Sequence, residues 1–427
     1  MSDILIKDVS LASGVRTDLG IHATRFVDTA SLVQPVVINA SGLMALPGLV
    51  DLHTHLREPS PQPAETISSG TLAAAKGGFT AVFAMANTDP VTDTASAVRN
   101  LRTLAADAHA EVIPVGAITR GLQGREVSEI EAMNDEGVNF FSDDGFCVMD
   151  ASIMREALLR VGYSGGVVAQ HSQDHNIAGP CACVPDGVEV PPLAEEDTTW
   201  HRVAEASIIA RDVQLAMDTG THLHICHIST AEAVDVVRWA KEKGAPVTAE
   251  VTPHHLLLGS ELVGSLDTRF KVNPPLRNDE DRHALRLALA DGTIDVVGTD
   301  HAPHLPSDKE KPFPQAKPGM VGLEWALGVV IETMINTGLM DWVTLAKRTS
   351  HTPARIGKIS YCQGRPLAIS ERATFTLIDL TRRAIVDKDL ALTQGRNNPY
   401  HGLDLPDPVL ATFWEGRPTY ASFLFES

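Results

Sequence analysis

Three things are scarce in this chain, and each scarcity removes a class of function. Cysteine is limited to Cys147, Cys181, Cys183, Cys226 and Cys362, scattered and odd in number. That pattern excludes a disulfide framework and fits a reducing cytosol, so a cytoplasmic location is expected. Cys181 and Cys183 have no second pair with which to complete a zinc site. Positive charge is also short: 35 Lys and Arg against 54 Asp and Glu leave a formal net charge of -19. So acidic a surface repels nucleic acid and anionic membranes, and neither is expected as a partner. It repels anionic small molecules at long range as well, so such a ligand must be held by local cations. Finally, no run of ~18 apolar residues and no cleavable apolar leader is found, so the chain is expected neither to span a membrane nor to be secreted.

What remains is ordinary globular composition, 44% hydrophobic and 21% charged over 427 residues, with a strong pattern. Apolar strand-like runs occur at 46–53, 79–86, 111–118, 138–143, 165–171, 222–229, 247–253 and 294–300. Helix-like stretches such as 92–108, 150–161, 202–218 and 230–243 lie between most of them. Strand–helix alternation repeated about eight times predicts an α/β fold of the (β/α)8 TIM-like barrel type. The two ends differ in character. Ile4-Leu5-Ile6, Val36-Val37-Ile38, Ala373–Ile378 and Pro418-Thr419-Tyr420 are short strand-like pieces. They predict a small β-sandwich domain formed from both termini, residues 1–47 and 360–427, around a barrel at 48–359.

The chemistry begins at Asp51-Leu52-His53-Thr54-His55-Leu56-Arg57. Alternation along a strand points His53 and His55 the same way, suited to a divalent metal, and Arg57 could anchor a carboxylate beside it. Active sites of such barrels lie at the C-terminal strand ends. Read in order, those ends offer His53 and His55, Asn87, Asp143-Asp144, His171, His227, Asn273 and Asp300. In His222–His227, alternation groups Leu223 and Ile225 with His227. If the apolar pair fills the interior, His227 points inward and His222 and His224 point outward as packing or surface residues. The same parity sets Asp300 with Val296 and Gly298, and His171 with Ala169. His254 and His255, after a Thr-Pro turn, read as structural. Four histidines and two aspartates suit two ions sharing a bridging carboxylate, Asp144 or its neighbour Asp143.

These residues resemble the amidohydrolase superfamily and, within it, the bacterial type I dihydroorotases, over almost the whole chain. The motifs are Asp51–Pro59, Asn87-Thr88-Asp89-Pro90, Ser142-Asp143-Asp144-Gly145, Cys226-His227-Ile228-Ser229-Thr230, Val251–His255, Lys271–Arg277 and Thr299–His304. The resemblance implies that His53, His55 and Asp300 hold one Zn2+ and His171 and His227 another, with Asp144 bridging. It implies substrate contacts from His55, Arg57, Asn87, Asn273, His304, Pro318 and Gly319, and a proton shuttle at Asp300. The activity it implies is reversible interconversion of (S)-dihydroorotate and N-carbamoyl-L-aspartate in de novo pyrimidine biosynthesis. Relatives acting on hydantoins, dihydropyrimidines or allantoin normally bridge their metals with a carbamylated lysine from mid-barrel. Here no lysine stands between Lys76 and Lys241, so that bridge is excluded. Two alternatives are another cyclic amidohydrolase of hydantoinase or allantoinase type, and a non-catalytic partner of aspartate transcarbamoylase. Chains of the second kind lose metal ligands, which this one keeps. The expected partners are a small-molecule substrate, aspartate transcarbamoylase as a candidate, and further copies of the chain. Ala86, Gln173, His201 and Pro318 depart from the residues usual in the family. The charged, proline-rich segment 305–319, without helical or strand period, is expected to be a mobile lid.

Overall fold

A computed structural model of the chain describes residues 3–178 and 201–422; Cys181 and Cys183 lie outside them. Eight parallel strands carry the centre: β1 (Leu49–Thr54), β2 (Phe79–Ala84), β3 (Glu111–Pro114), β4 (Phe140–Ser142), β5 (Val167–Gln170), β6 (His222–Ile225), β7 (Val247–Val251) and β8 (Val296–Val297). Seven lie inside the apolar runs of the sequence, and β1 passes the end of its run, 46–53, by one residue. They form arcs of three (β1–β2–β3) and five (β4 to β8) strands. Isolated parallel bridges, Gly116 with Phe141 and Thr54 with His301, join the arcs at both edges. Between the strands run α1 (Ile67–Lys76), α2 (Ala95–Leu104), α3 (Ile130–Asp135), α4 (Ala151–Tyr163), α5 (Val203–Thr219), α6 (Ala231–Glu242) and α7 (Asp279–Asp291). Several start where a side chain can accept a first-turn amide: Thr66, Thr94, Asp150, Thr230 and Asn278 do so for α1, α2, α4, α6 and α7. Among the described residues no helix is long and apolar enough to cross a membrane.

Both faces of the strands are buried. One face, with Val82, Val168, Leu223, Ile225, Ala249 and Val251, packs against helix residues such as Leu158, Ile209, Val213 and Val237. The other encloses Val50, Leu52, Phe83, Phe140, Ala169, Cys226 and Val296. Val296 and Ala169 thus lie inside, as parity required for Asp300 and His171. For β6 the expectation is reversed. Leu223 and Ile225 face the helices, whereas His224 meets Phe140 across the interior, with ring centroids 5.8 Å apart. The physical reason is that helix-facing positions demand branched aliphatics more strongly than an interior that offers polar partners. His227 then points inward because its backbone enters the left-handed region (φ 31°), which breaks the alternation.

Residues from both ends share a second sheet of eight strands. Its order is Arg417–Ala421, Val409–Trp414, Phe375–Ile378, Met44–Pro47, Ile4–Leu11, Arg16–His22 and Arg25–Val27, with Val36–Asn39 also pairing Ile4–Leu11. Its core holds Ile6, Val9, Ile21, Phe26, Phe375 and Phe413, the last two stacked at 4.6 Å. Met44–Pro47 leads through Gly48 straight into β1, so this sheet fixes where the first histidine pair begins.

The turn closing α1 is equally constrained. A Cβ on Gly77 would lie 2.1 Å from the Leu323 carbonyl oxygen. Gly77→Ala is therefore expected to lower the unfolding free energy by about 1–3 kcal/mol. Gly264→Ala, whose Cβ would meet nothing within 4 Å, should leave it unchanged. Denaturant unfolding of the two variants checks this.

Candidate metal centre

The strand ends of β1, β4, β5, β6 and β8 deliver six side chains to one point. His53 closes β1 with His55 just beyond it, Asp144 follows β4, His171 follows β5, and His227 and Asp300 lie two and three residues past their strands. Asp144 is at the middle. Its Oδ1 is 3.2 Å from His53 Nε2, 3.4 Å from His227 Nε2 and 3.5 Å from His171 Nδ1, and its Oδ2 is 3.2 Å from His55 Nε2. Asp300 Oδ1 lies 3.1 Å from His55 Nε2 and 3.6 Å from His53 Nε2. Two groups of potential ligands result, His53–His55–Asp144–Asp300 and Asp144–His171–His227, sharing Asp144. His53 Nε2 and Asp144 Oδ1 are buried with no hydrogen-bond partner. A native interior tolerates such orphans only where another ligand serves them. A pair of divalent ions meets both atoms, so the residues present fit a metal.

Asp143 and Asp144, adjacent in sequence, do different work. Asp143 accepts the amides of Ile118 (2.7 Å) and Thr119 (2.9 Å) and the Thr119 hydroxyl, which ties β4 to the loop after β3. Burial pushes its carboxyl up to about 6. Only Asp144 reaches the histidines.

Behind the ligands stands a residue the sequence reading missed. Glu250 of β7 accepts from His53 Nδ1–H at 2.6 Å and from His224 Nε2–H at 3.2 Å, and the His227 amide approaches it at 3.3 Å. Its signal was present: Glu250 is the one ionisable side chain in the buried strand Val247–Val251. A proton held on Nδ1 by Glu250 fixes the ring so that Nε2 is the nitrogen facing Asp144. His55 is oriented in the same way, its Nδ1–H donating to Asn87 Oδ1 at 2.9 Å. Gln173 Oε1 accepts from His171 Nε2–H (3.0 Å) and from Asn273 Nδ2 (2.7 Å), so the neutral amide fills this supporting position. Thr252 caps the short helix Pro253–Leu257 by accepting the His255 amide (3.1 Å), and the His255 ring bonds the Thr252 hydroxyl (2.8 Å) and the Pro274 carbonyl (3.0 Å), a structural place as expected.

Charge in the cluster is tightly coupled. Burial alone would neutralise Asp144, but His53 together with His171 and His227 holds it well below the ordinary carboxylate range. Burial likewise disfavours charge on His53, yet Asp144 and Glu250 lift it well above its ordinary value. Asp300 is lowered against its burial by His55, His53 and His227. Asp144 and Asp300 are thus anionic near neutrality, the state in which a carboxylate can bind a metal ion.

The remaining candidates line the rim. Arg57, at φ 58°, gives its Nε–H to the Pro303 carbonyl (3.1 Å) and forms no ion pair among the described residues. Asn87 Nδ2 donates to the Asp144 carbonyl at 3.2 Å. Asn273 lies in the connection between β7 and α7 rather than at a strand end. His304 Nε2–H donates to the Pro318 carbonyl at 2.7 Å. Gly319 (φ 146°) permits that approach, since a Cβ there would sit 2.6 Å from His304 Nε2. The 305–319 segment is more ordered than expected: it holds a helical turn at Pro306–Lys309 and a 3-10 turn at Phe313–Gln315, with Phe313 and Ala316 buried. Lys271 Nζ donates to the Phe313 and Pro314 carbonyls and Lys309 Nζ to three others, so proline and lysine anchor what its composition left structureless.

This arrangement has known counterparts. A family model described as dihydro-orotase-like matches residues 42–233. The chain is 49% identical over 425 residues to a dihydroorotase of Streptomyces coelicolor, covering 98% of both proteins. It is 44% identical over 427 residues to a dihydroorotase of Mycobacterium tuberculosis, covering 98% of this chain and 94% of the relative. Among solved structures it shares its fold with a dihydropyrimidinase from Brevibacillus agri (TM-score 0.86, 21% identity, 98% and 95% of the two chains). It also shares it with an L-hydantoinase from Arthrobacter aurescens (TM-score 0.87, 22% identity, 99% and 96%). With identity this high over nearly the full length, the chain belongs to the dihydroorotase family, enzymes that hydrolyse a cyclic amide.

Proposed function

We propose that the protein is a zinc-dependent dihydroorotase that interconverts (S)-dihydroorotate and N-carbamoyl-L-aspartate. The observation that carries this reading is the Asp144 carboxylate within 3.5 Å of all four histidines, where a carbamylated lysine would otherwise be needed. We also take the two strand arcs as one closed (β/α)8 barrel over 48–359, with 1–47 and 360–427 as a small β-sandwich domain. The bridges at both seams and the sheet shared by both ends support this.

His53, His55 and Asp300 would hold one zinc, His171 and His227 the other, and Asp144 both. When bound, the ions polarise the amide carbonyl and make water a stronger nucleophile. The chain's own residues supply the rest. Arg57, aided by Asn87, Asn273 and His304, fixes the substrate carboxylate; a planar guanidinium matches its two oxygens, and the acidic protein needs such a local cation. Asp300 takes the proton of the attacking water as the C–O bond forms. It delivers that proton to the ring nitrogen as the C–N bond breaks, acting as base and then acid. Pro318 and Gly319 cover the substrate and exclude bulk water.

Purified metal-loaded protein should hydrolyse dihydroorotate and leave dihydrouracil, hydantoin and allantoin essentially untouched; a preference for any of those overturns the assignment. Cyclisation removes one carboxylate and consumes a proton near neutrality. The equilibrium ratio should move toward dihydroorotate by about tenfold per pH unit on acidification, and a ratio flat between about pH 6 and 8 would mean that another reaction is catalysed. Asp300→Asn keeps the side chain's size but cannot accept a proton, and kcat should fall by at least ~100-fold; retained turnover with metal bound would remove Asp300 from this role. Asp144→Ala should release metal, as read by metal analysis after dialysis. Asp143→Ala should keep its metal while losing about 1–3 kcal/mol of stability, because buried amides lose their acceptor. The opposite pattern would exchange the two roles.

A further inference from the structure

Lys309 is 9% exposed, yet its ammonium meets main-chain carbonyls rather than a carboxylate among the described residues. Nζ donates to Lys317 O at 2.9 Å, Gly319 O at 3.2 Å and Lys271 O at 3.3 Å. Three N–H donors meet three acceptors, the full capacity of an ammonium. Residue 318 between the two loop acceptors turns its carbonyl the other way, to His304 Nε2, as alternation along extended backbone requires. The third acceptor belongs to Lys271, which also receives the Gly319 amide at 2.9 Å and lies two residues before Asn273. The buried Lys309 Nζ therefore adds to that backbone bond in fastening the 317–319 segment to the 271–273 segment, and both reach the rim of the metal centre.

A buried cation is a poor choice if packing were its only purpose, since an apolar side chain of similar volume is often neutral or stabilising in its place. What the ammonium adds is direction, three fixed bonds in place of one contact. We propose that Lys309 is a positioning residue for substrate binding: it holds Gly319, and through Pro318 the His304 ring, in register with Asn273. This rests on the dihydroorotase reading of the site.

The test uses Lys309→Met in the full-length, metal-loaded enzyme. KM for dihydroorotate should rise by about tenfold or more with kcat within about threefold, the signature of lost binding rather than lost chemistry. Metal content should match the wild type. Amide hydrogen exchange over residues 310–322, measured without substrate, should be faster in the variant, while peptides from β1 and β5 exchange as before. If Lys309→Met does not fold, Lys309→Gln, neutral and with two N–H donors, is expected to show the same changes. KM within about twofold of wild type, a loss confined to kcat, or unchanged exchange over 310–322 would overturn the proposal. A wild-type enzyme inactive on dihydroorotate would instead refute the reading of the site, and the exchange measurement would still decide whether Lys309 fastens the segment.

Discussion

One buried anion organises this molecule's centre. Asp144 is 4% exposed and sits within 3.5 Å of four imidazole nitrogens from three strand ends. In so low a dielectric a lone carboxylate would take up a proton. His53, with His171 and His227, prevents that, and Asp144 in turn favours the charged form of His53 and His171. The electrostatics favour positive charge at this point, and a bound metal ion would supply it.

That arrangement depends on ring orientation, and orientation comes from hydrogen bonds behind the ligands. Glu250 fixes His53 through Nδ1 and approaches the His227 amide, so one carboxylate braces a candidate ligand of each ion. A Cβ on Gly298 would lie 2.2 Å from Glu250 Oε2, which explains a glycine in β8's extension beside a buried carboxylate. Asn87 and Gln173 do for His55 and His171 what Glu250 does for His53. These supports carry less formal charge as they approach the rim, where an anionic substrate would be repelled by further carboxylates.

The eight central strands were legible because strands buried on both faces read as continuous apolar runs. The same property hid the facing of β6. With Leu223 and Ile225 on one side and His224 and Cys226 on the other, alternation cannot say which side holds the helices, and the assumption that apolar residues fill the interior chose wrongly. Asp143 and Asp144 could not be separated from spacing either, because only the amides of Ile118 and Thr119, far along the chain, claim the first of them. The six candidate ligands converge all the same, since histidines and aspartates gathered at strand ends need no parity argument to be noticed. Glu250 was overlooked because the apolar run 247–253 was read as ending three residues beyond it, whereas the strand ends at Val251.

Backbone strain accounts for much of what pattern reading could not supply. Arg57, His227 and Asp300 adopt φ values of 58°, 31° and 45°, each costing of order 1–3 kcal/mol for a residue with a Cβ. All three follow parallel strands, and at His227 the natural continuation, in phase with Leu223 and Ile225, would carry the side chain toward the helices. Surrounding bonds over-determine each bend. Arg57 is held by the Pro303 carbonyl, and His227 has Glu250 beneath its amide. Asp300 is pinned from both sides. Asp51 accepts from the Thr299 amide and hydroxyl, while the His301 ring accepts from Gly322 and faces Glu65. Asp51 also accepts from the His53 amide and the Thr54 hydroxyl, so the seam between β1 and β8 is braced by the group that fixes the bend at Asp300. Part of the buried polar network therefore holds three unfavourable turns, and those turns place a guanidinium, an imidazole and a carboxylate around the candidate metal centre.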